Sequence, residues 1–358
     1  MTPIHDLLSA IEPVDRRLEP EIRARLDNLT KPRGSLGRLE EIALRYALAR
    51  GAVRPAWGSK VIVTFAADHG VVEEGVSAYP KAVTPQMVLN MLAGGAAVNA
   101  LARHAGAELR VVDVGVDFDF GPRPGLFDRK VRRGTRNLAR EPAMTAEETL
   151  RAIGVGADLA RGAARDGAAL IGTGEMGIGN TTPSAALFSA LLPCPVDAAV
   201  GRGTGVDDAG LARKTDVVRR ALARHRDRLH DPLEALACVG GLEIAAIAGL
   251  ILGAAAERVP TVVDGFISSA AALVACRLCP AAQDYLFFSH CSHEAGHRTF
   301  FRLFRTEPLL DLGMRLGEGT GAALAMSIVE AAMRCYDGMA TFDSARVSGR
   351  SGGDGAPP

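Results

Sequence analysis

Apolar positions along the chain follow two different rhythms. From residue 1 to about 28, Leu7, Leu8, Ile11, Ile22 and Leu26 recur at helical intervals, with breaks at Pro13 and Pro20. Further on the rhythm changes. Lys60-Val61-Ile62-Val63-Thr64-Phe65-Ala66-Ala67 is a short apolar run rich in β-branched residues, as in a strand covered on both faces. Comparable runs predict strands over 108–115, 168–173, 260–264 and 284–289. Helical patterns fall between them. One follows Thr84, a candidate cap with Pro85 at the first helical position. Another covers 145–165, where Thr145 and Glu148 have capping-box spacing. Others are expected over 185–192 and 215–228, and over 243–256, which is uniformly apolar and so buried.

Alternating strands and helices predict an α/β fold with a mostly parallel sheet, helices covering both faces. The N-terminal helices and the segment after about residue 300 carry no strand signal. Together they are expected to form a smaller helical domain. The expected division is 1–50 and 300–343 for the smaller domain, 51–299 for the α/β domain, and 344–358 for a disordered tail. A loop over 117–137 is long for a compact domain, which suits a functional or partner-contacting role.

Composition narrows the class. The chain has 358 residues, 48 % of them hydrophobic, with a single tryptophan, which suits a soluble protein with closely packed helices. Its formal net charge is zero, so it lacks the electrostatic footprint of a nucleic-acid or anionic-membrane binder. The start, Met1-Thr2-Pro3-Ile4-His5-Asp6, does not read as a signal peptide. The apolar run ending at Glu257-Arg258 is too short for a membrane span. Six scattered cysteines do not form a disulfide framework and fit a reducing cytoplasm. Cys276 and Cys279 have C-x-x-C spacing, but their alanine-rich setting favours a structural role.

The candidate chemistry sits at strand ends. Asp68-His69 follows the first strand, as a metal pair, an acid/base pair or a hydrogen-bonded turn anchor. Tyr79, Gln86 and Met87 either line an aromatic-binding pocket with one polar contact or belong to the core. Two carboxylates stand alone among glycines. Glu175 lies in Gly174-Glu175-Met176-Gly177-Ile178-Gly179-Asn180-Thr181-Thr182, and Glu318 in Gly317-Glu318-Gly319-Thr320-Gly321. Each precedes a predicted helix, where amides and hydroxyls can cradle an anion. No lysine follows in the P-loop pattern, so a nucleoside triphosphate is not implied. A third glycine-rich loop, Gly201-Arg202-Gly203-Thr204-Gly205, has Lys214 shortly beyond it. Asp264 ends a strand. His290, His293 and His297 read as a zinc cluster or as site-lining and structural histidines, but their spacing is not H-E-x-x-H.

These loops resemble those of the nicotinate-nucleotide–dimethylbenzimidazole phosphoribosyltransferases. The resemblance rests on Ala66-Ala67-Asp68-His69-Gly70, Gly75-Val76-Ser77-Ala78-Tyr79-Pro80, the two carboxylate loops and Gly201–Gly205, in order from about Leu29 to Met326. It implies a Rossmann-like sheet, a smaller domain from both termini and a homodimer. It also implies transfer of phosphoribose from nicotinate mononucleotide to 5,6-dimethylbenzimidazole, with no cofactor and no metal. On the same basis Glu318 is the expected general base and Glu175 the second active-site carboxylate. Gly177, Gly179, Asn180, Thr181, Thr182, Gly201, Arg202, Gly203, Lys214 and Asp264 are expected at the phosphate and ribose, and Ser77, Tyr79, Gln86, Met87, Met176 and Leu316 at the base. No role is carried over for His293, which lies between the matching His290 and His297. Other lower-ligand bases (benzimidazoles, purines, phenols) remain open, as does a metal-dependent hydrolase using Asp68, His69 and the three histidines.

Overall fold

A computed structural model describes residues 3–203 and 205–348. They fall into two compact units, one of residues up to 13 with 57–326, the other of 14–56 with 327 onward. The division therefore leaves residues 300–326, with the Glu318 loop, in the larger unit rather than in the smaller domain expected to start at 300. Between the last strand and that loop the chain bridges in parallel to the residues just after β6: Leu310 N donates to Ser289 O and Cys291 N to Leu310 O.

The larger unit is built on six strands: β1 (Ser59–Ala67), β2 (Ala107–Gly115), β3 (Leu126–Asp128), β4 (Ala168–Met176), β5 (Thr261–Val263) and β6 (Leu286–Phe288). Their order is β3-β2-β1-β4-β5-β6, and every neighbouring pair is parallel. The chain winds outward from β1 to β3, then returns to β4 on the other side. That reversal opens a crevice between the carboxyl ends of β1 and β4, where sheets of this class bind ligands. Every residue of β4 and all but the first of β1 are buried, as a sheet covered on both faces requires.

The glycine and alanine content has a direct packing use. A Cβ on Gly156, in the helix Ala146–Arg165, would lie 1.8 Å from the Ala246 carbonyl oxygen. One on Gly249, in the helix Leu242–Ala256, would lie 1.9 Å from the Ile153 carbonyl oxygen. These two helices touch backbone to backbone. The expected capping box holds the first of them: Thr145 Oγ1 accepts from Glu148 N, and Glu148 Oε2 from Thr145 N.

Several elements depart from expectation. β4 continues to Met176, so Glu175 stands on the strand end rather than in the loop. The loop over 117–137 contains β3, a three-residue edge strand. The last strand shortens to Leu286–Phe288 because Pro280–Tyr285 is a 3₁₀ turn. Thr84 does not cap its helix; it lies inside Val83–Leu92, and its Oγ1 accepts from Ile178 N. The helix expected over 185–192 runs Thr181–Leu191, and the one expected from 215 runs Asp208–His225, capped by Asp207. Lys214 is thus a helical residue.

The smaller unit is helical, with Glu19–Asn28, Arg38–Arg50 and the later turns of Thr320–Gly338. Tyr336 Oη donates to the Val53 carbonyl at 2.7 Å, and Leu29 bridges to Thr341. Lys31 is buried and paired with Glu40 at 2.8 Å. The expected tail begins with a helical turn, Phe342–Ala345; residues 349–358 of it lie outside the described residues.

Candidate active site

Glu318 sits in the left-handed region, with φ of 63°, between Gly317 at 84° and Gly319 at 98°. That conformation is uncommon for a residue with a Cβ and costs on the order of 1–3 kcal/mol. Its surroundings hold it there. Asp264 at the end of β5 accepts from Gly319 N at 3.1 Å and from Ala322 N at 3.0 Å, one amide on each oxygen. Thr64 Oγ1 on β1 donates to the Glu318 carbonyl at 2.8 Å. Gly317 presses on β4, where a Cβ would meet Glu175 Oε1 at 2.2 Å. Asp264 was expected to face ribose or phosphate. It is instead buried, with both oxygens engaged by the backbone, and it anchors the first turn of the helix that follows the loop.

The carboxylates here form a group. Glu318 is buried, and its Oε2 has no hydrogen-bond partner among the described residues. Burial raises its carboxyl above the ordinary range and Asp264 adds to this, while the Val98 amide opposes it. Glu175 is pushed up to about 8, first by burial and then by Asp264, Glu243 and Glu318, against a hydrogen bond from Asn180. His69 is fully buried on Glu243, Nε2 to Oε1 at 2.7 Å, so Asp68-His69 is a buried anchor at the crevice rather than an open metal pair. Asp68 Oδ2 accepts from the Asp117 amide.

A second group lies across the same crevice. Lys214 is buried and directs its ammonium at Thr181 Oγ1, 2.7 Å away, and at the Gly201 carbonyl, 3.0 Å away. Burial lowers it to about 8, with Glu294 pulling the other way. A Cβ on Gly203 would lie 3.1 Å from Lys214 Nζ, so that loop passes close to the cation. The turn Gly177–Thr182 joins the two groups, since Asn180 reaches Glu175 and its neighbour Thr181 reaches Lys214. Gly179 adopts φ of 91° in that turn. Thr182 is fully buried, and its hydroxyl has no partner among the described residues. Arg202 turns onto its own loop, bonding Asp208 and the Val206 carbonyl. Thr204 of that loop lies outside the described residues.

Of the residues expected at the base, Tyr79 is 50 % and Leu316 57 % exposed, large apolar side chains left open. Gln86 is exposed, Met87 and Ser77 half-buried, and Met176 buried.

A family model described as phosphoribosyltransferase matches residues 11–347. A relative from Geobacter sulfurreducens, named nicotinate-nucleotide–dimethylbenzimidazole phosphoribosyltransferase, is 59 % identical over 97 % of this chain and 99 % of its own. One of the same name from Pelodictyon phaeoclathratiforme is 57 % identical, over 97 % of this chain and 98 % of its own. The crystal structure of CobT from Thermus thermophilus superposes with a TM-score of 0.89 at 52 % identity, over 93 % of this chain and 99 % of that one. The chain belongs to the nicotinate-nucleotide–dimethylbenzimidazole phosphoribosyltransferase family.

Within this phosphoribosyltransferase the three histidines do not converge. His297 is fully buried: its Nδ1 accepts from Ser292 N and its Nε2 lies 2.9 Å from Ser269 Oγ. Burial, reinforced by His290, holds its pKa well below the ordinary value, so the ring is neutral with the proton on Nε2. His290 is buried beside Ser289 and Asp264, whereas His293 is exposed. Cys276 and Cys279 are both free thiols, the former pushed up to about 12 by burial. Sequence reasoning missed two positioning groups, Thr64 and Thr173, whose hydroxyls hold Glu318 O and accept from Asp264 N. It also gave Glu294 no role, although this carboxylate is buried beside the Gly201 loop.

Proposed function

We propose that this enzyme transfers phosphoribose from nicotinate mononucleotide to 5,6-dimethylbenzimidazole, releasing nicotinate and forming α-ribazole 5′-phosphate for the lower ligand of cobalamin. The observation that carries the reading is the pairing in one crevice of a carboxylate held at positive φ with a buried lysine. Lys214 and Thr181 offer a cation and a hydroxyl to the 5′-phosphate. Glu318 is the base. Attack by one benzimidazole nitrogen forms the new C–N bond as the bond to nicotinate breaks, and the other ring nitrogen gives its proton to Glu318. The pyridinium leaves as neutral ring nitrogen and needs no acid. Attack from the face opposite the leaving group converts a β-linked ribose into an α-linked one, through an oxocarbenium-like state.

The raised pKa of Glu318 suits a base working near neutrality. Glu175 holds its proton at pH 7 in the free enzyme, because its carboxyl titrates at about 8. A cationic ribose in the crevice favours its ionised form, which would then stabilise developing charge. Tyr79, Met87, Met176 and Leu316 supply apolar surface for the base. A homodimer and a cytoplasmic location belong to the same proposal; among the described residues no helix is long and apolar enough to cross a membrane. Light scattering on purified protein gives the oligomeric state.

Incubating the protein with nicotinate mononucleotide and dimethylbenzimidazole and following products by chromatography tests the reading. Release of nicotinate with equimolar α-ribazole phosphate is expected. Absence of both overturns it. Competing benzimidazole, purine and phenolic acceptors in the same mixture ranks the bases. A metal-dependent hydrolase has less support, since both His297 nitrogens are hydrogen-bonded and His69 is closed onto Glu243.

A further inference from the structure

We propose that Glu294 is a specificity residue of the nucleotide site, its Oε2 accepting a hydrogen bond from a ribose hydroxyl of the bound nucleotide. This rests on the phosphoribosyl-transfer reading above. Glu294 follows β6 and opens the helix Ala295–Phe304. It is 7 % exposed, and its Oε2 is buried with no hydrogen-bond partner among the described residues. A buried carboxylate oxygen left without a donor is costly, so a missing donor is the natural reading. The oxygen lies against the nucleotide loop: a Cβ on Gly201 would come within 2.1 Å of it. On its other side Gly201 offers its carbonyl to Lys214 Nζ. Glu294 therefore stands one residue's thickness from the proposed phosphate contact. It shares a cavity of about 460 Å³ with Gly201, Gly203 and Arg315.

The chemistry of the donor substrate decides what can face it. A phosphate oxygen is excluded by like charge, and so is the nicotinate carboxylate. The pyridinium nitrogen carries no proton. Once the phosphate is ionised, the 2′- and 3′-hydroxyls of the ribose are the only hydrogen-bond donors left. The ribose hangs from the 5′-phosphate, so a phosphate on Lys214 brings the sugar to this cavity. Lys214 is not the missing donor, because its ammonium is directed at Thr181 and the Gly201 carbonyl.

The test measures dissociation constants by calorimetry for nicotinate mononucleotide and its 2′-deoxy and 3′-deoxy forms. The parent enzyme, Glu294→Gln and Glu294→Ala are compared. The parent should bind one deoxy form roughly 10- to 100-fold more weakly than the ribonucleotide, the range for a hydrogen bond to a charged group. Glu294→Ala should weaken the ribonucleotide by a similar factor and leave that deoxy form unchanged. Glu294→Gln, which is nearly isosteric, should lose part of the discrimination, and it carries the test alone if the alanine variant does not fold. Equal weakening of all three nucleotides by either variant would mark Glu294 as a counter-ion or structural group and overturn the inference. So would a parent enzyme that does not discriminate. A parent that binds no nicotinate mononucleotide would instead sink the functional reading itself.

Discussion

The two ends of the crevice are opposite solutions to one problem. At one end Glu175, Glu243, Asp264 and Glu318 gather with His69, and among the described residues no lysine or arginine makes hydrogen-bond contact with Glu175 or Glu318. At the other end a lysine is buried among hydroxyl, carbonyl and glycine backbone. Burial pushes both ends toward neutrality, raising the acids and lowering the base. The acidic end meets this with unequal carboxylates. Asp264 is satisfied by two amides, the Glu175 carboxyl is pushed up to about 8, and Glu318 keeps one oxygen without a partner among the described residues. The basic end meets it with neutral acceptors around its cation. Within the acidic end, Asp264 has both oxygens engaged by backbone amides, whereas Glu318 Oε2 is left open to a ligand under the reading proposed above.

The comparison breaks most visibly at Glu318. Glu318→Gln keeps size and one acceptor but removes the proposed base, so turnover of dimethylbenzimidazole should fall roughly 10²–10⁴-fold while nicotinate mononucleotide still binds. Steady-state kinetics at saturating substrates checks this; a loss of only a few-fold would move the base assignment to Glu175. In the parent, turnover should also fall as the pH drops and Glu318 takes up a proton, since its pKa is raised.

Glu175 sharpens the same end through stability. Its folded pKa of about 8 lies above its unfolded value, so the folded state holds the proton more tightly. The stability this confers is complete below the unfolded carboxylate pKa and is lost as pH rises to about 8, on the order of a few kcal/mol. Glu175→Gln should therefore melt at the parent's temperature near pH 4 and above it near pH 9. Calorimetric scans across that range decide, and a parallel pair of curves would show that Glu175 is not the buried acid proposed.

At the basic end, Lys214→Ala should weaken nucleotide binding by roughly 1.5–3 kcal/mol, about 10- to 100-fold. Parent affinity should decline as pH rises through about 8, where the ammonium is lost. Titration calorimetry at several pH values reads both, and a flat profile would take Lys214 out of the phosphate site. The smallest effect is expected at Asp264→Asn, which keeps an acceptor for one of the two amides. Leaving one buried amide facing the Asn amide group, at a cost on the order of 1–3 kcal/mol, should lower kcat with little change in nucleotide affinity.

The sheet was legible where burial leaves a continuous mark. β1 carries the β-branched run Val61–Thr64 and β2 carries Val111, Val112 and Val114, and both strands lie where their patterns put them. β3 was not legible, because three residues on a sheet edge have no period to read. β4 was read too short because glycine and glutamate at 174–175 look like loop, yet Gly174 is there for the Glu318 carbonyl that packs on it. Of the site, the isolated carboxylates and Lys214 stood out by their glycine-rich settings. The work of Asp264 did not, since its partners Gly319 and Ala322 lie more than fifty residues away. Glu294 was hidden between histidines that drew the eye to metal.

The backbone contact between the helices Ala146–Arg165 and Leu242–Ala256 bears on how this enzyme can be engineered. Replacing glycine by alanine inside a helix ordinarily raises stability by roughly 0.5–1 kcal/mol. At Gly156 or Gly249 the added methyl would wedge the helices apart. The second helix begins at Leu242, so Glu243 and the histidine it holds would travel with it. The glycine pair acts as a ruler for the crevice floor. A thermostabilising library built on helix propensity should leave both positions untouched.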